Sequence, residues 1–155
     1  MSKRTMHFEV LGKAQGLDRS RQAANGHRFD SAKNRNNKAY IALKAEVAAE
    51  TAEAALPIPP GKKGYTLNLV IYTVPPKSYT KRKLAEIERG EWNPQTKPDV
   101  DNVLKLYLDA MNGRIIEDDR FITEVHVLRR YGSTEKVAVR LNWEDEEETA
   151  EGSNG

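Results

Sequence analysis

The spacing of apolar residues changes several times along this chain, and each change predicts an element. Met6, Phe8 and Val10 alternate with His7, Glu9 and Leu11, the period of two of a short strand. Lys38 to Leu56 is rich in Ala and Glu, with Tyr40, Leu43, Val47 and Thr51 at helical spacing, and Pro57-Ile58-Pro59-Pro60-Gly61 ends that helix. Tyr65 to Val74 is rich in β-formers and fairly apolar on both faces, which predicts a central strand stopped by Pro75-Pro76. Val100, Val103, Leu104, Tyr107, Leu108 and Met111 then repeat as in an amphipathic helix, and Asn112-Gly113 supplies a left-handed C-cap. Arg114 to Ile116 reads as a short extended piece, and Phe121 to Arg130 and Glu135 to Trp143 as strands joined at Gly132.

This order predicts an α+β fold: a single mixed α/β domain with a small mixed sheet and two main helices. The domain is expected over residues 1–143, followed over 144–155 by an acidic, Gly- and Ser-ended, disordered tail. Two intervals lack apolar periodicity. Residues 12–37 carry Arg19, Arg21, Arg28, Lys33 and Arg35, and residues 77–97 carry Lys77, Lys81, Arg82, Lys83, Arg89 and Lys97 around a short helix and Trp92. They read as a basic loop and a basic insertion.

Charge changes that picture. All 25 basic residues lie at or before Arg140, while six of the 23 acids lie between Glu144 and Glu151, so residues 1–140 carry a net +8. Such a body suits a polyanion such as nucleic acid, although charge runs are also ordinary solvated surface. With no cysteine, disulfides, thiolate nucleophiles and cysteine-bound zinc are excluded. His7, His27 and His126 show no paired ligand spacing, so a metal would sit on oxygen. No P-loop, Rossmann glycine pattern or nucleophile elbow is present. No run approaches the roughly 20 apolar residues of a bilayer helix, and a cytoplasmic protein is expected.

The chemistry concentrates in Lys97-Pro98-Asp99-Val100-Asp101-Asn102-Val103-Leu104-Lys105. Asp99 and Asp101 stand where the second helix begins, and N-capping explains one such aspartate. Asp101, Lys105 and Asp109 follow at intervals of four on the polar face, as a salt-bridge ladder would. A third reading brings in Asp118 and Asp119. The helix carries the chain about 20 Å away at 1.5 Å per residue, and an extended run back from Gly113 covers about the same distance. Carboxylates gathered there would repel unless cations sat between them, and magnesium or manganese suits oxygen ligands and phosphodiester chemistry. A calcium loop fails, because Leu104 and Ala110 occupy the positions that need Gly and Glu.

Lys97-Pro98-Asp99-Val100-Asp101-Asn102-Val103-x-Lys105, then Leu108-Asp109-Ala110-Met111-Asn112-Gly113 and Glu117-Asp118-Asp119, resembles the signature of the RusA family of Holliday-junction resolvases. The likeness is to its phage and prophage-type members, which implies a bacterial setting. It implies a small homodimeric endonuclease that uses Mg2+, or Mn2+ in its place, to nick four-way junction DNA symmetrically during recombination and repair. It further implies that Asp99, Asp101 and Asp119 bind the metal, with Lys105 beside them and Asp118 adjacent. Asn102 and Asp109 are supporting candidates. Arg19, Arg21, Arg28, Lys33, Arg35, Lys77, Lys81, Arg82, Lys83 and Lys97 are candidates for the phosphate surface. The loop over 12–37 and the insertion over 77–97 depart from compact members of that family. Two other readings stay open: a non-catalytic structure-specific DNA-binding protein, and a metal-dependent nuclease acting on other branched or single-stranded DNA.

Overall fold

The computed structural model describes residues 2–18, 21–22, 26 and 28–146, with the backbone alone at 21, 22, 28 and 29. Strand β1 (Ser2–Leu11) is followed by a two-residue pair, β2 (Arg21–Gln22) and β3 (Arg28–Phe29). Helix α1 (Ala32–Thr51), strand β4 (Tyr65–Thr73), helix α2 (Lys81–Glu88) and helix α3 (Val100–Met111) come next. A 3-10 turn (Asp119–Phe121) leads into β5 (Ile122–Tyr131) and β6 (Lys136–Asp145). The main sheet has the order β1-β6-β4-β5, a mixed α+β domain as expected.

Alternation decides which face of the sheet is buried. Met6 and Phe8, Tyr65 to Ile71 at every second position, and Val137, Val139, Leu141 and Trp143 all point into one core. The β4 strand is central, between β6 and β5, as its apolar faces predict. It pairs antiparallel with β6 and parallel with β5. A parallel pair needs a crossover, and here that crossover carries α2, α3 and the whole acidic region. The strands on either side of Gly132 are therefore not hairpin neighbours: β4 lies between them, and Gly132 donates its N–H to Thr73 O at 2.9 Å.

Helix α1 departs from expectation at its start and in its orientation. It begins at Ala32, not Lys38, because Ser31 caps it by accepting from Asn34 N at 3.0 Å. It ends at Thr51, with Ala52 as C-cap, before the prolines are reached. Its buried residues are Asn34, Ile41, Ala42, Ala45 and Ala49, while Tyr40, Leu43 and Val47 face solvent. The larger apolar residues that predict the helix thus lie away from the core, because small alanines let α1 approach α3 closely.

Strand β6 also outruns its expected end. Glu144 and Asp145 pair with Lys3 and Ser2 of β1, and Asp145 takes an ion pair from Arg4 at 2.5 Å. The sheet therefore continues two residues past the expected boundary at 143. The rest of the expected tail, from Glu147, and Arg19 and His27 lie outside the described residues.

Candidate active site

Both ends of α3 carry acids, and the fold builds the two ends differently. At the N-terminal end Asp99 holds the N-cap position, yet its side chain makes no capping hydrogen bond. Asp101 and Lys105 are exposed one turn apart, and the salt-bridge ladder is absent: neither pairs with the other, nor with Asp109. The two ordinary structural roles for these aspartates are therefore unfilled.

A short segment after β1 packs against this end. Leu17 N donates to Asn102 O at 3.1 Å. Asn34, 1% exposed, clamps Asp18 from both sides: its Oδ1 accepts from Asp18 N at 2.9 Å and its Nδ2 donates to Asp18 O at 3.0 Å. Gly16 lets the segment pass close to α3: a Cβ would lie 3.1 Å from Pro98 Cβ and 3.2 Å from Asn102 Cβ. Between the segment and the α3 start lies a cleft of about 400 Å³ lined by Ala14 to Asp18, Lys33, Lys97, Pro98, Asp99 and Asn102. Asn34, Gln15 and Leu17 sit in an interval with no periodic signal, so sequence reasoning missed their part in the site.

The C-terminal end is tied down. Asn112 caps α3, and its Oδ1 accepts from Asp119 N at 2.9 Å. Glu117 N donates to the Tyr65 hydroxyl at 3.1 Å, which itself donates to Ile58 O. Asp118 caps the 3-10 turn by accepting from Arg120 N at 2.9 Å, which occupies one of its oxygens and leaves Asp119 the freer carboxylate. Gly64 lets the next residues pass: a Cβ on it would come 2.3 Å from Phe121 O. The chain after Gly113 therefore does not extend back along the helix. Asp119 stays at the Asn112 end, about 20 Å from the Asp99 end by helical rise. Among the described residues, no three of the metal-binding types gather closely enough to hold an ion.

The basic candidates divide likewise. Lys33 and Lys97 line the cleft beside Asp99. Arg35 is turned to Asp30 O at 2.6 Å. Lys77 and Lys81 are exposed, as is Arg82, whose Glu86 partner is 3.8 Å away. Lys83 lies over the rings of Tyr79 and Trp92 at 4.0 and 4.7 Å. Of Arg21 and Arg28 only the backbone is described, in β2 and β3. Leu106 and Ile115 are core residues and Phe121 is half-buried. No helix among the described residues is long and apolar enough to cross a membrane.

These features have relatives. The chain is 33% identical over 140 residues to the uncharacterized protein YqaN of Bacillus subtilis (strain 168), an alignment covering 86% of this chain and 93% of that protein. The family model described as endodeoxyribonuclease RusA matches residues 12–142, from just after β1 into β6. With most of its core, its α3 signature and both acidic ends inside that match, this chain belongs to the RusA endodeoxyribonuclease family.

Proposed function

We propose that the protein resolves four-way DNA junctions by metal-dependent phosphodiester hydrolysis, working as a homodimer in recombination and repair. The observation that supports this best is the pair of carboxylates at the start of α3, Asp99 without a capping bond and Asp101 without an ion pair among the described residues, in a member of a nuclease family. All the donors are carboxylate oxygens, which suits Mg2+ or Mn2+. Their number in one chain falls short, since Asp119 is anchored at the other end of the helix. A two-fold dimer with its α3 helices antiparallel across the axis resolves this. It puts the Asp119 end of one chain beside the Asp99 and Asp101 end of the other, and gives two equivalent sites for two opposed nicks.

In each site Asp99, Asp101 and the other copy's Asp119 would hold the ion, which would supply positive charge against the phosphate. Lys105 lies one turn after Asp101 with no acidic partner among the described residues, and its ammonium offsets charge gathering on the reacting phosphate. Asn112 fixes the backbone that presents Asp119. Exposed Lys77, Lys81 and Arg82 contact the phosphates of the junction arms, so binding weakens steeply with salt.

The test is cutting of a synthetic four-way junction against linear duplex of the same sequence, with magnesium, manganese or chelator. Paired symmetric nicks in the junction, lost with chelator while binding persists, are expected. Binding without cutting under either metal would leave a structure-specific binder, and equal cutting of gapped or single-stranded DNA would leave a broader nuclease.

A further inference from the structure

The cleft beside Asp99 has a chemistry that junction cutting alone does not require. Its volume of about 400 Å³ lies within the range of pockets that enclose small organic groups and is far too small for a duplex. Its lining combines four kinds of group: the cations Lys33 and Lys97, the carboxylates of Asp18 and Asp99, the amides Gln15 and Asn102, and the apolar surfaces of Ala14, Leu17 and Pro98. A divalent ion alone, held on the Asp99 side, would leave the two lysines, the amides and the apolar wall without a partner. A free phosphate would leave the apolar wall uncovered.

The wall is also built before anything binds. Three hydrogen bonds, from Leu17 to Asn102 and both ways between Asp18 and Asn34, hold it against the start of α3 and the start of α1. The same Asn34 sits one residue after Lys33, so the clamp that fixes the segment also fixes the backbone of a lining lysine. A preorganised wall lowers the ordering cost of whatever it receives.

We propose that this cleft receives one unpaired nucleotide of the DNA strand, next to the phosphate that reacts at Asp99. Lys33 and Lys97 take the nucleotide's phosphate as point charges, the apolar wall covers a face of the base, and the Gln15 and Asn102 amides meet its edge. The cost of unstacking a base is lowest where pairing is already interrupted, so the cleft favours a branch point over continuous duplex. This rests on the reading of the protein as a junction nuclease and names the part of the substrate that its site selects.

The test places 2-aminopurine, in turn, at each nucleotide flanking the cut phosphate of a junction, with chelator present so that binding is seen without cutting. Fluorescence is expected to rise severalfold at one position when wild-type protein saturates the junction, and not in the duplex arms. Lys33→Ala, which removes a charge from the phosphate, and Gln15→Leu, which replaces the amide by an apolar side chain of similar size, are expected to remove the rise and to slow cutting about tenfold, with junction affinity falling no more than about fivefold; Lys33→Arg restores the rise. A saturated junction with no rise at any position, or a rise unchanged in both variants, overturns the subsite. Cutting of unlabelled junction is scored separately: if wild-type protein cuts junctions without any rise, only the subsite fails. Failure to cut junctions removes the function and the subsite together.

Discussion

The two ends of α3 use the same residue type under opposite constraints. At the N-terminal end the Asp99 and Asp101 side chains have no hydrogen-bonded or ionic partner among the described residues, and Asp99 lines a cleft. At the C-terminal end Asp118 is consumed by a turn and Asp119 is positioned through its own N–H by Asn112, behind a Tyr65 hydroxyl that bonds two segments at once. One end is chemically open, and the other is mechanically fixed. Carboxylates left unpaired suit a ligand that arrives from outside, whereas a fixed carboxylate suits a site assembled by docking, where its placement must already be correct. The difference fits a site divided between two copies better than one built within a single chain.

The sharpest break of that comparison uses mixed dimers. Asp101→Asn and Asp119→Asn are each expected to lower junction cutting at least about a thousandfold while leaving binding intact. If each site takes Asp119 from the other copy, co-refolding the two variants makes heterodimers with one intact site, and nicking recovers to about a quarter of wild type. If each chain supplies its own complete site, no heterodimer has one and nothing recovers. Single-strand nicks, without paired cuts, are the expected product.

Asn112→Ala tests the fixed end more gently. It removes the acceptor for Asp119 N–H and is expected to cost about 1 kcal/mol of stability, with cutting reduced about tenfold to a hundredfold through misplacement of Asp119. An equal reduction in junction binding would show instead that Asn112 matters for the DNA surface.

Much of α3 was legible in the sequence because its period is strong and its flanking Asp99 and Gly113 mark both boundaries. The route of the chain beyond it was not. Residue count gave the reach needed for Asp119 to return beside Asp99, but reach is only an upper limit on displacement. The path is set by a side-chain bond between Asn112 and Asp119, seven residues on, and by the long-range contacts of Tyr65 and Gly64, none of which has a periodic signature. The orientation of α1 was hidden for a related reason. Its buried stripe is made of alanines, and the larger Tyr40, Leu43 and Val47 that carry the periodic signal face solvent. The β5 and β6 strands were found, but their separation by β4 depends on pairing across the crossover, which no local pattern reports.

Tyr65 makes the fixed end sensitive to alkali. Burial raises its pKa from the ordinary 10.0, and burial does the same to Tyr107 in α3. The unfolded chain loses these protons near pH 10, while the folded chain keeps them to higher pH. Their contribution to stability is thus complete below about pH 10 and falls as pH rises toward the folded values. Tyr65→Phe leaves Ile58 O and Glu117 N–H without their partner and is expected to cost about 1–3 kcal/mol at neutral pH. Chemical denaturation at pH 7 and pH 10.5 should show this variant losing less on going to alkali than wild type. An unchanged difference between the two pH values would remove Tyr65 from the account.

The smallest effect belongs to the middle of the helix. Asp109 lies on the exposed side of α3, two turns after Asp101, and makes no ion pair with Lys105. Asp109→Asn therefore removes a charge that the fold does not use, and stability is expected to change by less than about 0.5 kcal/mol. In the proposed dimer with antiparallel α3 helices, Asp109 would fall between the paired sites without belonging to either, and cutting should stay within about twofold. A loss of cutting comparable with that of Asp101→Asn would put Asp109 among the groups that hold the ion. The acids would then form a continuous line along the helix, and the contrast between an open end and a fixed end would no longer describe the site.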